Sequence, residues 1–317
     1  MTETIAYNIL QVLFVLVFAP LYAGVLSRLK EMVQSRRGPS IFQSYRDIWK
    51  LFHKDEVISE ETTWIFRFTP YLVFVMPIFV ATLIPVLTDY PLAFAFMADM
   101  VGAGFYLAVA GFFAALAAVD TGNPYGPMGA SRTRMVGFLA EPVFMIVFFT
   151  VSFVAQSTIP YIVQQKWVAS AAAFFSPAHI LLLMAFLMLI LAEGGKIPVD
   201  NPAGHFELAM IDESKGLEYS GRAAALMKWG GQMKFLVLAC IFLNVLVAPW
   251  GLAHGTNPGA VFAAVPQILF KVFLFALLLV VIETSLAKLR LFRISEFLGA
   301  AFITSVAAMV TSIFPGA

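Results

Sequence analysis

Three carboxylates and one amine interrupt stretches that are otherwise apolar. Glu141 precedes Pro142 in MVGFLAEPVFMIVFF, Glu193 closes HILLLMAFLMLILAE, and Lys271 and Glu283 share VFAAVPQILFKVFLFALLLVVIE. An ionisable side chain in hydrocarbon is costly, and the usual reason to keep one is an ion or proton path. Lys271 precedes Glu283 by twelve residues, which on a helix is about 18 Å of axial rise. An ammonium at that depth has to be neutralised or paired, most simply with a carboxylate. Carboxylates shifted toward neutrality, with a lysine and bridging water, are chemically suited to relay protons. Snorkelling helix ends or packing hydrogen bonds are the plainer explanation for Glu193 and Glu283. The same holds for Asp99 and His179, which fall near the opposite helix ends.

A second group of acids follows directly. Residues 192–221 read AEGGKIPVDNPAGHFELAMIDESKGLEYSG and carry Glu193, Asp200, Glu207, Asp212, Glu213 and Glu218. Pro198, Val199, Phe206, Leu208, Met210 and Ile211 make the stretch too apolar for a freely solvated loop. Half-burial of its carboxylates raises their pKa toward the range useful for proton exchange.

The elements that must hold these groups are membrane helices. The chain is 61% hydrophobic and 12% charged with mean hydropathy +0.87, whereas soluble domains carry about 25% charged residues. Apolar runs predict eight spans, at about 5–26, 68–88, 100–119, 135–156, 176–193, 234–252, 262–284 and 297–314, each near the ~20 residues that cross the hydrocarbon. The fold class is all-α, one polytopic domain over 1–317. Eighteen of the 20 Lys and Arg residues fall on alternate loops. The positive-inside rule makes those loops cytoplasmic and puts both termini on the outer face. Net charge +1 gives no field for nucleic acid. The single Cys240 excludes a disulfide framework and a cluster held by cysteines of this chain alone.

Two further loops carry signals. In QSRRGPSIFQSYRDIWKLFHK, Arg36 and Arg37 precede the break at Gly38–Pro39. Ile41, Phe42, Tyr45, Ile48, Trp49 and Phe52 then recur at helical spacing, as in an amphipathic helix in the bilayer interface. In DTGNPYGPMGASR, Asn123–Pro124 and Gly126–Pro127 predict an irregular turn; without a GKS or GKT sequence it is no phosphate loop.

These strings carry a resemblance. Ala192-Glu193, Pro198-Val199-Asp200, Glu207-Leu208 and Glu218-Tyr219-Ser220-Gly221 resemble the long loop of the respiratory complex I subunit 1 family. The string from Gln34 to Ser40 and DIWKLFHKDEVI are similar to that family's first loop. Ser40 stands where complex I members usually have Asn, and Gly-Gly-Lys follows Glu193 where they have Thr-Asn-Arg. DTGNPYGPMGASR and ETSLAKLRLFRISEFLG resemble the branch found in formate hydrogenlyase and energy-converting membrane-bound [NiFe]-hydrogenases. That branch implies a non-catalytic subunit in a prokaryotic inner membrane, docking a soluble hydrogenase module and coupling electron transfer to proton translocation. Its partners would be hydrogenase large and small subunits, an iron–sulfur subunit and antiporter-like membrane subunits. The Ni-Fe centre and iron–sulfur clusters would sit in those partners, with no cofactor bound by this chain. By the resemblance Glu141, Glu193 and Asp200 match acidic positions, and Glu207, Asp212, Glu213 and Glu218 match more loosely. Arg36 and Arg37 match a basic pair, while Lys271 and Glu283 rest on the residues alone. Two other functions stay open at this point, a quinone-site subunit of a complex I-type dehydrogenase and a passive membrane anchor.

Overall fold

The computed structural model describes residues 2–90, 94, 97–169, 174–200, 211–254 and 258–313. Among them no strand forms; ten α-helices do: α1 (Thr2–Val33), α2 (Gln43–Phe52), α3 (Trp64–Leu83), α4 (Met100–Val119), α5 (Tyr125–Ala155), α6 (Pro160–Ala169), α7 (Pro177–Glu193), α8 (Gly221–Cys240, continued as a π-helix over Ile241–Val247), α9 (Pro258–Ser285) and α10 (Leu291–Ile313), with one 3-10 turn at Glu213–Gly216. Seven of these, α1, α3, α4, α5, α8, α9 and α10, are long and apolar enough to cross a membrane, and α7 is a shorter apolar helix. The chain is an all-helical, multi-pass membrane protein. At its centre is α8, whose apolar stretch is 78% buried against 28–44% for the other six. Exposed aromatics such as Phe262 and Phe292 lie on the outer helices, as expected where lipid rather than water is the solvent.

Two helices start well before the hydropathy signal does. Asn123–Pro124 lies in the turn ahead of α5, but Gly126–Pro127 is already helix: α5 begins at Tyr125, with Pro124 as its N-cap residue. Pro127 sits in the first turn, where a missing N–H costs nothing. Likewise α8 starts at Gly221, thirteen residues ahead of its apolar run. These extensions carry Arg132, Arg134, Lys228 and Lys234, so cations assigned to loops stand on rigid helix. The amphipathic helix forms as α2, pinned to α8 by Lys228–Asp47 at 2.9 Å. Lys228 and Gln43 outweigh the effect of burial and hold the Asp47 carboxyl below its ordinary range.

At the far end two irregular stretches, 84–89 and 248–254, lie side by side. The Ala253 N–H donates to Leu87 O at 2.9 Å and the Asp89 N–H to Ala253 O at 3.2 Å. Backbone groups away from water must be satisfied internally, and here side chains do it. Gln11 donates to Ala81 O and to Ile84 O (2.8 Å), and Asn244 Nδ2 donates to Pro85 O and Val86 O at 3.0 and 3.1 Å. Gln164 donates to Pro249 O at 2.7 Å, and His179 Nε2 meets Leu246 O at 3.0 Å. His179 and Asp99, the N-cap of α4 accepting from Val101 N–H, therefore hold structure together.

Candidate functional site

The exit from α7 builds the site. Gly195 adopts φ +56°, a left-handed turn open to glycine at little cost. Its N–H reaches Ala192 O at 3.2 Å, and the Lys196 N–H reaches Leu191 O at 2.9 Å. This is the helix-closing Schellman arrangement. It reverses the chain so that Val199 and Asp200 N–H fold back on Lys196 O at 2.8 and 3.1 Å. Asp200, 2% exposed, then ties both sides of the loop. Its Oδ2 accepts from the Ile211 and Asp212 N–H groups at 3.1 and 3.0 Å, and its Oδ1 takes Lys288 at 2.8 Å. Gly129 on α5 lets the far side of the loop dock, since a Cβ there would lie 1.7 Å from Ser214 Oγ.

Between this loop and α4, α5, α7 and α8 lies a cavity of about 270 Å³. Glu141, Glu193, Asp200 and Asp212 line it, together with Arg134, Lys215 and Lys234. Phe105, Phe138 and Phe144 form an apolar wall. Among the described residues each carboxylate in it has a cation: Arg134–Glu141 at 3.6 Å, Lys234–Glu193 at 2.7 Å, Lys215–Asp212 at 2.6 Å and Lys288–Asp200 at 2.8 Å. Asp212 is half-exposed and lines the cavity. Burial pushes its carboxyl up, but the charge and hydrogen bond of Lys215 and the charge of Lys234 hold it below the ordinary carboxylate range. Glu213 goes the other way, raised by burial and by the charges of Asp212 and Asp200. Neighbouring carboxylates driven apart in this way can serve as a standing base and a proton carrier.

The remaining candidates lie elsewhere. Glu283 is outside the cavity, 6% exposed, between Lys30 at 2.9 Å and Lys196 at 3.9 Å. The Lys196 ammonium also sits 5.1 Å over the Phe235 ring. Burial, with the charge of Lys30 in the same direction, outweighs Glu283 and Glu213 and holds that amine below its ordinary range. One hairpin thus joins the two groups, since Glu193 and Asp200 face the cavity while Lys196 reaches Glu283. Glu218 accepts from Asn123 Nδ2 and, like Glu213, does not line the cavity. Glu207 falls outside the described residues. Arg36, Arg37, Gly38 and Pro39 follow the end of α1, where the Arg36 N–H caps Glu31 O at 2.9 Å, and none of them lines the cavity.

Lys271 differs from expectation. Among the described residues no carboxylate pairs with it. Its ammonium is held by Ala248 O at 2.7 Å, Trp250 O and Asn244 Oδ1 at 3.3 Å. The carbonyls past the end of the π-helix do the neutralising, because a helix C-terminus presents partial negative charge. The sequence reasoning also passed over the cations. Lys30, Lys196, Lys215 and Lys234 enter the sequence reading only through topology, yet each neutralises a named acid; Lys288, whose loop position fits such a role, does so at Asp200. An acid and a base count that match so closely on one face was the available signal.

Among the described residues no group of three or more His, Cys, Asp or Glu is arranged to hold a metal. Cys240 is buried in α8, so this donor set suits neither a nickel site nor a cluster.

The comparisons with known proteins fit this architecture. The family described as NADH dehydrogenase matches residues 6–313. Formate hydrogenlyase subunit 4 of Escherichia coli is 33% identical over 91% of this chain and 92% of its own length. Hydrogenase-4 component C of the same organism is 32% identical over 96% and 95%. The fold recurs in a chain of the solved membrane-bound sulfane sulfur reductase, an archaeal respiratory membrane complex, with TM-score 0.82, 18% identity, and 96% of this chain and 99% of that one covered. With the match running from the first helix to the last, the chain belongs to the NADH dehydrogenase family.

Proposed function

We propose that this chain is the membrane subunit of a formate hydrogenlyase or energy-converting [NiFe]-hydrogenase complex in a prokaryotic inner membrane, and that it moves protons when a docked redox module turns over. The carrying observation is the cavity that gathers Glu141, Glu193, Asp200 and Asp212, each against its own cation. A passive anchor has no use for four buried or half-buried acid–base pairs around one void, because such pairs roughly break even in stability. The two relatives above 30% identity are components of hydrogenase systems, which supports this reading over a quinone-site subunit. Electron carriers then belong to partner subunits, as expected of a component of a multi-subunit complex.

The Arg134–Glu141 pair gives the route a direction. Its side chains are 38% and 45% exposed on α5, near the exposed Phe138. A charged pair facing lipid is costly, so an antiporter-like membrane subunit covers it and takes the proton on. The hydrogenase large and small subunits and the iron–sulfur subunit dock on the basic cytoplasmic side, where the loop 194–220 meets the segment after α2 through Ser220 and Val57 at 2.8 Å. A redox step there shifts the loop acids, and Glu193 passes the proton to Glu141 through cavity water. In the complex reconstituted in sealed vesicles, Glu141→Gln and Glu193→Gln are expected to keep hydrogen evolution under uncoupled conditions and lose acidification of the lumen. Wild-type acidification in both variants rules the relay out.

A further inference from the structure

The short helix α2 is fixed against the membrane-spanning part of α1. The Tyr45 hydroxyl donates to Val17 O. Ile41 O, just ahead of α2, comes so close to α1 that a Cβ at Gly24 would lie 1.9 Å from it. Val17 and Gly24 both fall inside the first apolar run, which ends near Leu26. At 1.5 Å of rise per residue, Gly24 is about 3 Å inside that limit. A helix tied at this level lies along the bilayer interface rather than out in the cytoplasm. On the same inner side Phe52 meets the Trp229 ring of α8 edge-on at 6.4 Å, and Asp47 pairs with Lys228 at 2.9 Å.

The opposite face of α2 is uncovered. Phe42, Arg46, Trp49, Lys50 and His53 recur at helical spacing and all are exposed, Phe42 by 59% and Trp49 by 70%. The His53 ring lies 4.5 Å from that of Trp49, and its Nδ1 meets Trp49 O at 2.8 Å. Arg46 and Lys50 stand one turn apart, with about 5–6 Å between their Cβ atoms, and like charges at that spacing destabilise a helix. The one acid on α2, Asp47, is turned inward to Lys228 and to Gln43 Nε2 at 2.8 Å. Among the described residues no carboxylate comes within ion-pair distance of Arg46 or Lys50. Two cations set between aromatic rings at the edge of the hydrocarbon call for an anion at headgroup depth.

We propose that the outer face of α2 is a binding site for an acidic phospholipid. The lipid phosphodiester sits between Arg46 and Lys50, and the glycerol and upper acyl chains lie against Phe42 and Trp49. Guanidinium and ammonium both bind phosphate, the first through paired N–H groups and the second as a point charge. A zwitterionic lipid brings no net charge to offset the two cations, so the headgroup must be acidic. A soluble partner is disfavoured by depth, because Tyr45 and Ile41 hold the helix beside the apolar run of α1. The site draws nothing from the proton route of the cavity; it needs only that α1 spans the membrane.

The test reads Trp49 fluorescence in the protein purified with its accompanying subunits and reconstituted into phosphatidylcholine vesicles. The vesicles contain either brominated phosphatidylglycerol or brominated phosphatidylcholine, each of which quenches an indole it touches. Subtracting the signal of Trp49→Phe isolates this residue. Half-quenching is expected at a mole fraction of the acidic lipid at least about fivefold below that of the zwitterionic one. Arg46→Gln and Lys50→Gln are each expected to reduce that preference by about fivefold, the electrostatic scale of one cation at an anionic surface. Arg46→Lys keeps most of it. Equal quenching by the two lipids overturns the proposal, as does a preference that survives the double substitution of Arg46 and Lys50 by Gln. Quenching by neither lipid means that a partner subunit covers α2, which also overturns it. None of these readings involves hydrogen evolution or proton movement, so the site and the relay stand or fall separately.

Discussion

Glu283 shows how one residue's role depends on which cation holds it. Lys30 sits at 2.9 Å and Lys196 at 3.9 Å, so two ammonium groups share one buried carboxylate. Lys30→Met leaves the acid with the longer contact and is expected to destabilise by about 3 kcal/mol, the order found when a buried pair loses a partner. Lys196→Met leaves a matched 1:1 pair and removes an amine that burial already disfavours, so thermal stability in detergent is expected to hold or rise. A larger loss in Lys196→Met than in Lys30→Met refutes this ordering. Asp212 and Glu213 make a second contrast. The Asp212 carboxyl is held low when folded, so its contribution is present above the ordinary value near 3.8 and lost as pH falls through the folded value. The Glu213 carboxyl is raised, so its contribution is present below the ordinary value of 4.5 and lost as pH rises through the folded value. Melting followed against pH should show Asp212→Asn less stable than wild type near neutrality and Glu213→Gln more stable. The Glu213 difference should close as pH falls below 4.5, and the Asp212 difference only further down, below 3.8, as pH falls through its lowered folded value.

At the scale of elements, the loop after α7 is a set of ties. Asp200 accepts two backbone N–H groups and pairs with Lys288, so Asp200→Ala strands three donors at once. A loss of about 3–5 kcal/mol is expected, read as a lower melting temperature and faster proteolysis after Lys196. Asp200→Asn keeps an oxygen acceptor and should recover much of the fold while lacking a titratable group, which separates the tie from any proton exchange. Gly129 is tested by Gly129→Ala. The added Cβ would meet Ser214 Oγ at 1.7 Å, and overpacking of this kind costs about 1–3 kcal/mol. Gly129→Ala combined with Ser214→Ala should regain part of that loss; no recovery would mean that the clash is not what holds the loop off. The helices start ahead of the apolar spans for a physical reason. Hydropathy reports immersion in lipid, whereas α5 and α8 continue as helix beyond the apolar runs, carrying Arg134 and Lys234 to Glu141 and Glu193.

Seen whole, the molecule is polarised. Cations and acids concentrate at one end, and neutral amides satisfy the irregular backbone at the other. The orientation we propose puts the charged end in the cytoplasm. Cys240 is buried and should stay silent to a membrane-impermeant maleimide, which makes added cysteines clean reporters. Ser59→Cys is expected to label only in inverted vesicles and Gln156→Cys only in right-side-out cells. Labelling with the reverse pattern overturns the orientation.

Eight apolar runs, the alternation of cationic loops, the amphipathic segment 43–52 and the acidic stretch after Glu193 were all legible in the residues themselves. Each rests on composition and period, which are local properties. Which acids meet was not legible. Glu141 and Glu193 share a void because α5 and α7 pack there, whereas Glu283 is diverted to Lys30 and Lys196, and Lys271 finds carbonyls rather than a carboxylate. Those outcomes depend on where separate helices touch and where α8 widens and stops. Burying a charge is tolerable only with a partner, and the partner comes from another helix, so only the tertiary structure could choose it.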